Sequence, residues 1–230
     1  MSSSNPPKPG AKPHPAPEEQ NQAVPDPIAH FRSIPWCASL LTAGPPTILD
    51  TVVPDRRALP TGESNLLRKT LNSLTTVKAC VTFFGVLPRN PEKRKLVSKS
   101  AGLVSGGGAE NGEDPKNPFL LLNALADIGV DLMSFAGTMH GGMFPVLMDE
   151  AMGTAAQAQA PNGAYTVSLT TEYRQAIKLP QVVLIRGRVT KKAGRKIWAH
   201  GTIEDKDGNV LGEAHGMWLA IGKDPGRSQL

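Results

Sequence analysis

Hydrophobic and polar positions follow two different periods along the second part of the chain. Residues 143–160 are rich in Leu, Met and Ala over a length typical of a helix, and Pro161-Asn162-Gly163 ends that pattern. Alternating or β-branched apolar positions predict strands elsewhere, with a tight turn at Asp207-Gly208. The predicted strands are residues 77–87, 165–173, 182–192, 195–205 and 210–221.

Residues 119–131 are also apolar, but their pattern leaves helix and strand equally open. The predicted order is therefore a strand, this undecided segment, one long helix and a four-strand antiparallel meander. Runs of strands around a single helix indicate the α+β class rather than a doubly wound parallel sheet.

Composition separates the front of the chain from this patterned part. The sequence has 230 residues with 23 Gly and 21 Pro, and most of the prolines lie near its beginning. The polar, Gly-rich residues 89–118 predict a mobile insertion, either a solvated loop or a lid. We expect a disordered Pro-rich N-terminus over residues 1–27, followed by an arm over residues 28–76. The arm is predicted to contain short helices near residues 35–42 and 65–71. The folded domain follows over residues 77–222, and residues 223–230 form a tail.

Charge and residue usage exclude several classes of partner. The net charge of +5 is mild and aromatic residues make up only 5% of the chain, so no nucleic-acid partner is predicted. No apolar run reaches the roughly 18 residues of a membrane span, and residues 1–27 lack the apolar run of a secretory signal.

Two cysteines, Cys37 and Cys80, suit a reducing compartment, so we expect a cytoplasmic protein, with a mitochondrial location as the alternative. The Cys and His residues show no ligand spacing, so neither a metal nor another cofactor is expected.

Two acidic residues interrupt the predicted long helix. Its apolar side chains cover nearly the whole circumference, which predicts a helix that the sheet buries on all sides. Asp149 lies among these side chains, where an uncompensated carboxylate is costly. We interpret Asp149 as a candidate general base and its neighbour Glu150 as a residue that faces water.

Two glycines open this helix directly after a histidine, in the sequence His140-Gly141-Gly142. Glycines let a ligand approach the backbone, and the unpaired N–H groups at a helix start stabilise a developing oxyanion. Asp149 follows His140 by nine residues, about two and a half helical turns. Because this separation keeps the base away from the oxyanion donors of its own chain, the pattern favours a site completed by a second chain.

At these residues the sequence resembles the hotdog-fold thioesterases of the PaaI-like, 4-hydroxybenzoyl-CoA thioesterase superfamily. The resemblance rests on His140-Gly141-Gly142 followed by Asp149, on residues 166–174 (TVSLTTEYR) and on Ala193-Gly194-Arg195-Lys196 between two strands. The last pattern is most similar to the mammalian superfamily members that act on long-chain acyl-CoA. The resemblance covers roughly residues 119–222 and implies the hotdog fold, an antiparallel sheet wrapped round one long helix.

The resemblance also implies a catalytic role for each matching residue. The N–H of Gly141 would polarise the thioester carbonyl, helped by that of Gly142, and His140 would shape the site beside it. Asp149 of the other subunit would act on water as a base or attack the thioester directly. Thr166 would help to hold the water.

Three further residues concern substrate binding. Ser134 stands where many relatives have an Asn, which leaves open the contact that this Asn makes with substrate or water. Arg195 and Lys196 belong to the densest basic stretch, and their side chains are either ligands of the CoA phosphates or simply solvated.

The implied activity is hydrolysis of an acyl-CoA or acyl-carrier-protein thioester in lipid metabolism, by a homodimer or tetramer that needs no metal. Two alternatives stay open. The first is a non-catalytic hotdog module that binds an acyl group or a protein, which Ser134 and the insertion would suit. The second is a product-releasing enzyme or hydratase of a biosynthetic pathway.

Overall fold

The computed structural model describes residues 21–42, 51–85, 117 and 119–222. Three α-helices lie in these ranges: α1 (Pro27–Arg32), α2 (Pro35–Leu41) and α3 (Met143–Gln157). Short helical turns cover Leu66–Thr70 and Val130–Leu132. The strands are β1 (Val77–Gly85), β2 (Leu121–Ile128), β3 (Met133–Phe135), β4 (Thr138–Met139), β5 (Ala164–Tyr173), β6 (Gln181–Ala193), β7 (Lys196–Glu204) and β8 (Val210–Ala220).

Several predicted segments lie wholly or mostly outside the described residues. They are residues 1–20 of the predicted disordered segment, the predicted insertion apart from Asn117, and the tail over 223–230.

Six strands form one antiparallel sheet in the order β1-β2-β6-β7-β8-β5, and β3 pairs with β4 as a separate hairpin. Helix α3 packs on one face of this sheet, against strands β2, β5, β6, β7 and β8. This is the arrangement that the resemblance implies, so the α+β hotdog fold is confirmed. None of the helices in the described ranges is long and apolar enough to cross a membrane.

The prediction of a four-strand meander is wrong for its first strand. Strands β6, β7 and β8 follow one another through tight turns, but β5 pairs with β8 at the far edge of the sheet. The reason lies in residues 174–180, which are too long for a hairpin turn and make backbone contacts of their own. In particular, the N–H of Met139 donates to the carbonyl of Ile177 at 2.9 Å, which ties this connection to β4.

The undecided segment over 119–131 is a strand, β2, that is buried on both faces. Helix α3 lies on its inner side, and helices α1 and α2 cover its outer side. A strand buried on both faces has no alternation of polar and apolar residues, which explains why the pattern left helix and strand open.

Helix α3 is buried on its sheet-facing side, where the strands approach it closely. A Cβ at Gly187 would lie 3.1 Å from the carbonyl oxygen of Ala151, and one at Gly201 would lie 2.8 Å from Cε of Met148. The opposite stripe of the helix is exposed, so the prediction of burial on all sides is wrong for this chain. That stripe consists of Glu150, Thr154 and Gln157, because the sheet curves round only one side of the helix.

The arm packs against the outer face of the sheet rather than hanging free. Phe31, Cys37 and Leu41 of helices α1 and α2 form a second apolar cluster with β1 and neighbouring strands. Its sheet residues are Ala79, Val81, Phe83, Leu125 and Leu184.

Two buried polar side chains hold the arm in place through backbone groups. Gln22 is 1% exposed, and its side-chain amide donates to the carbonyl of Cys80 at 3.0 Å and accepts from the N–H of Cys80 at 2.7 Å. Arg56 is also buried, and its guanidinium donates to the carbonyls of Leu67, Leu71 and Val77. Order in the chain therefore begins before residue 27, because Gln22 already belongs to the packed structure.

Candidate active site

The start of helix α3 leaves one backbone N–H available. The N–H of Met143 donates to the carbonyl of His140 at 2.9 Å, and that of Phe144 donates to the carbonyl of Gly141 at 3.2 Å. Within the described part of the chain, the N–H of Gly141 has no acceptor. Gly141 therefore presents a donor at the positive end of the helix, as the sequence predicts for an oxyanion site.

Gly142 does not share this role, contrary to expectation. Its N–H donates to Nδ1 of His140 at 2.9 Å, so this donor is already used inside the loop. A histidine that accepts at Nδ1 carries its proton on Nε2 in the neutral form. The contact therefore fixes the tautomer of His140 and makes Gly142 a residue that orients the imidazole.

Tyr173 is a site residue that the sequence analysis did not find. Its hydroxyl donates to the carbonyl of Gly141 at 2.8 Å, and its ring packs on Phe144 with 5.0 Å between centroids. Tyr173 is the last residue of β5, and it thus anchors the glycine loop (residues 140–142) from a position 32 residues further along the chain than Gly141. Nothing in local spacing signals this contact, because it depends on where β5 ends relative to helix α3.

A cavity of about 330 Å³ opens beside this loop. At the end nearest the start of helix α3, the cavity is lined by His140, Gly141, Phe144 and Tyr173. Its other walls come from β4 and the connection after β5: Thr138, Met139, Arg174, Gln175, Ala176 and Ile177. The available N–H of Gly141 thus belongs to a concave surface that a small group can enter.

The structure brings Asp149 and Thr166 together. Oγ1 of Thr166, on β5, donates to Oδ1 of Asp149, on helix α3, at 2.8 Å. Asp149 is partly buried and Thr166 is exposed. The contact holds one carboxylate oxygen and leaves Oδ2 as the acceptor toward a ligand or a water molecule.

Asp149 does not line the cavity beside Gly141. Eight residues separate the two along the chain, which corresponds to roughly 12 Å at about 1.5 Å rise per helical residue. A site that uses both groups of one chain therefore remains disfavoured, as the sequence predicts.

Glu150 is exposed, as expected, but it also lines a second cavity. This cavity of about 270 Å³ lies between helix α3, strands β1 and β2 and the arm, and its apolar wall includes Leu122, Leu147 and Ile185. Burial raises the pKa of Glu150 to about 7, and the neighbouring carboxylate of Asp149 adds to the shift. Solvent reaches this carboxylate through the cavity mouth, while the crowded walls still disfavour its charge.

Two of the three predicted substrate-binding residues, Arg195 and Lys196, lie away from the helix start, whereas Ser134 is on the β3–β4 hairpin directly before it. Ser134 is exposed on β3, and its side chain has no hydrogen-bond partner in the ranges that the structure describes. Arg195 lies in the turn between β6 and β7, where Nε donates to the carbonyl of Ala220 at 2.8 Å. Lys196 is the exposed first residue of β7. Because Ala220 pairs with Ala164, this turn is at the opposite end of β5 from Tyr173.

Strand pairing creates one group of possible metal ligands that sequence spacing did not indicate. His200 on β7 pairs directly with His215 on β8, and Glu213 lies two residues before His215. One ligand atom from each of these residues lies within 4.8 Å of the other two. The signal is absent from the linear sequence because it depends on the register between two strands.

Part of this chain is similar to known proteins. The model of the family described as "Thioesterase superfamily" matches residues 136–211. Acyl-coenzyme A thioesterase THEM4 of Mus musculus is 31% identical over 83 residues, which are 36% of this chain and 35% of that protein. THEM4 of Xenopus laevis is 33% identical over 75 residues, which are 33% of each protein. The chain thus spans about a third of the length of these relatives.

Among solved structures, smu.793 of Streptococcus mutans, crystallised bound to acetyl-CoA, aligns with a TM-score of 0.42 at 19% identity. The alignment covers 45% of this chain and 82% of that protein. The family match contains the helix start, Asp149 and Thr166, which are the residues of the candidate site. The resemblance of this chain to the thioesterase superfamily is therefore confirmed over residues 136–211.

Proposed function

We propose that this protein is an acyl-CoA thioesterase that works as a homodimer. The observation that carries the proposal is the 2.8 Å hydrogen bond from Thr166 on β5 to Asp149 on helix α3, the helix whose start presents the available N–H of Gly141. A positioned carboxylate and an oxyanion donor are the two groups that hydrolysis of a thioester requires. The match to relatives named acyl-coenzyme A thioesterase supports CoA as the carrier of the acyl group.

In this mechanism Asp149 acts as a general base through Oδ2. It takes a proton from water as the water oxygen attacks the thioester carbonyl carbon, and the hydroxyl of Thr166 holds Oδ1 in place. The N–H of Gly141 and the positive end of helix α3 stabilise the oxyanion that forms. The carbon–sulfur bond then breaks, and the thiolate of CoA takes the proton back from Asp149.

A second subunit supplies the missing half of each site. Strand β5 is an edge strand of ten residues, and its side chains are mostly exposed, including Val167 at 48%. An open edge of that length is a template for pairing with another strand. Antiparallel pairing of β5 with its own copy would place Thr166 near the partner's Tyr173, and hence Asp149 near the partner's Gly141.

This arrangement also gives the basic turn a role. Arg195 and Lys196 lie at the Ala164 end of β5, so the same pairing would bring them toward the partner's helix start. There their charges would face the phosphates of a CoA whose thioester occupies the site.

Turnover of acyl-CoA substrates with a thiol-trapping dye tests the proposal. We expect Asp149→Asn to lower kcat by about 10²–10⁴-fold, because the base is lost while the side chain keeps its shape. Asp131→Asn, an identical change at an exposed acid outside the site, is the matched control and should keep full activity. An Asp149→Asn variant with wild-type kcat would remove the assigned role.

Two further measurements separate the alternatives. The same acyl group offered on CoA and on carrier protein distinguishes the two substrates. Native mass spectrometry should give twice the 24.4 kDa of one chain, whereas a monomer would contradict the shared site. If the protein binds acyl-CoA tightly but turns over no thioester, it is a binding module and the proposed activity is wrong.

A further inference from the structure

The outer face of the sheet carries a cluster of polar side chains that thioester hydrolysis does not use. It lies on β7 and β8, on the side away from helix α3, and contains His200, Glu213 and His215. The two histidines are direct cross-strand partners, and Glu213 shares their face because it is two residues from His215. Two imidazoles and one carboxylate are a ligand set that first-row divalent metals accept.

Two of the three ligand atoms already stand at the spacing of a metal site. Nε2 of His200 and Oε2 of Glu213 are 3.2 Å apart. Ligand atoms about 2.0–2.1 Å from a tetrahedral Zn²⁺ ion are themselves roughly 3.3 Å apart. A metal ion can therefore take the place of the hydrogen between these two atoms without a change in their separation.

The third ligand is close and has room to move. The ring of His215 is stacked on that of His200, with 4.1 Å between centroids, and its ligand atom lies within 4.8 Å of the other two. His200 is buried and His215 is exposed. Because His215 is exposed, its side chain has room to turn toward the other two ligand atoms, while the buried histidine and the strand register fix the rest.

The neighbouring charged side chains hold the carboxylate of Glu213 in position. Nε of Arg174 donates to Oε1 of Glu213 at 3.0 Å, which leaves Oε2 directed at His200. Glu172 lies opposite Glu213 across β5 and β8 and also pairs with Arg174, at 3.0 Å. Arg188, the cross-strand partner of His200, adds a second guanidinium, so the two carboxylates and the two guanidinium groups balance. Arg174 acts as the outer-shell group that orients a ligand.

We infer that His200, Glu213 and His215 bind one divalent transition-metal ion of the Zn²⁺ class on the outer face of the sheet. The ion cross-links β7 and β8 and leaves at least one coordination position open to water. Its nitrogen ligands select against Mg²⁺, which prefers oxygen ligands alone. The site is separate from Asp149 and Gly141, so it stands or falls independently of the proposed thioesterase activity.

Titration calorimetry on the untagged, metal-free full chain tests the inference, with ZnCl₂ and MgCl₂ as the probes. We expect saturable binding of one Zn²⁺ per chain, no binding of Mg²⁺, and a rise in Tm with Zn²⁺ because only the folded chain holds all three ligands. His215→Ala and Glu213→Gln should each weaken Zn²⁺ binding by about 100-fold or more, since loss of an outer-shell group alone costs about 10–100-fold.

The matched control is His30→Gln, which removes an imidazole outside the cluster and should leave Zn²⁺ affinity unchanged. His215 is exposed, so its replacement leaves the core intact and the loss of binding can be assigned to the ligand. Absence of saturable one-to-one binding by the wild-type chain would overturn the site. Unchanged affinity in His215→Ala or Glu213→Gln would overturn it equally.

Discussion

Removal of the Tyr173 hydroxyl tests whether its hydrogen bond positions the glycine loop. This hydroxyl donates to the carbonyl of Gly141 at 2.8 Å, while the aromatic ring packs on Phe144. Tyr173→Phe deletes the hydrogen bond and keeps the ring. The loop before helix α3 then loses an anchor on Gly141, whose N–H polarises the substrate carbonyl in the proposed mechanism.

The size of the effect follows from the environment of this bond. A neutral hydrogen bond contributes about 0.5–1.5 kcal/mol, and Tyr173 is 56% exposed, which places the value near the lower end. If a loss of roughly 0.5–1 kcal/mol falls on the transition state, kcat drops by about two- to fivefold. The Michaelis constant should change little, because the oxyanion forms only after the substrate is bound.

Steady-state kinetics on Tyr173→Phe and Tyr165→Phe separate this role from a general effect. Tyr165 is on the same strand, is 55% exposed, and has no hydrogen bond from its hydroxyl among the residues that the structure describes. Its Phe variant should match the wild-type chain in both kcat and KM. The reasoning fails if Tyr173→Phe keeps full kcat, or if both variants lose the same fraction.

Two other predictions concern stability. The pKa of Glu150 is about 7 against an ordinary value of 4.5, so the folded chain loses stability as pH rises through this range. Glu150→Gln should therefore raise Tm at pH 8 and not at pH 4. Solvent screening limits the gain in the free energy of unfolding to about 1 kcal/mol. Equal changes in Tm at both pH values would contradict the raised pKa of Glu150. Gly201→Ala should cost about 1–3 kcal/mol in denaturant unfolding, because its Cβ would lie 2.3 Å from the carbonyl oxygen of Arg186. Gly153→Ala is the matched control, because its Cβ would lie at an ordinary contact distance of 3.4 Å from Trp218. Alanine also has a higher helix propensity than glycine, so the free energy of unfolding should stay the same or rise by up to roughly 1 kcal/mol.

Local patterns predicted most of the elements because each depends on its own residues. The predicted strand over 210–221 is β8 (Val210–Ala220), and the predicted helix over 143–160 contains α3 (Met143–Gln157). In both cases the period of the side chains and the flanking turn residues carry the information. The pairing of Asp149 with Thr166 was also within reach, because the resemblance places both near the reacting water.

Long-range register was not predictable from the same patterns. The alternation of residues 165–173 does not indicate whether β5 pairs with β8 or with β6, because pairing with either strand would bury the same face of β5. The contact between Tyr173 and Gly141 depends on that pairing, and the cluster of His200, Glu213 and His215 depends in the same way on the register between β7 and β8. The donor of Gly142 was assigned wrongly for a related reason, since sequence does not show that Nδ1 of His140 already accepts it.

The family match has a practical consequence for the design of fragments. Residues 136–211 exclude β2, which pairs with β6 along Gln181–Gly187, and the match ends at the second residue of β8. A recombinant piece with those bounds would expose an apolar strand edge seven residues long, and such an edge joins to other chains. It would aggregate, and its inactivity would say nothing about Asp149. The pairing of β1 with β2, and the arm that covers both, set the lower limit for any shortened version of this protein.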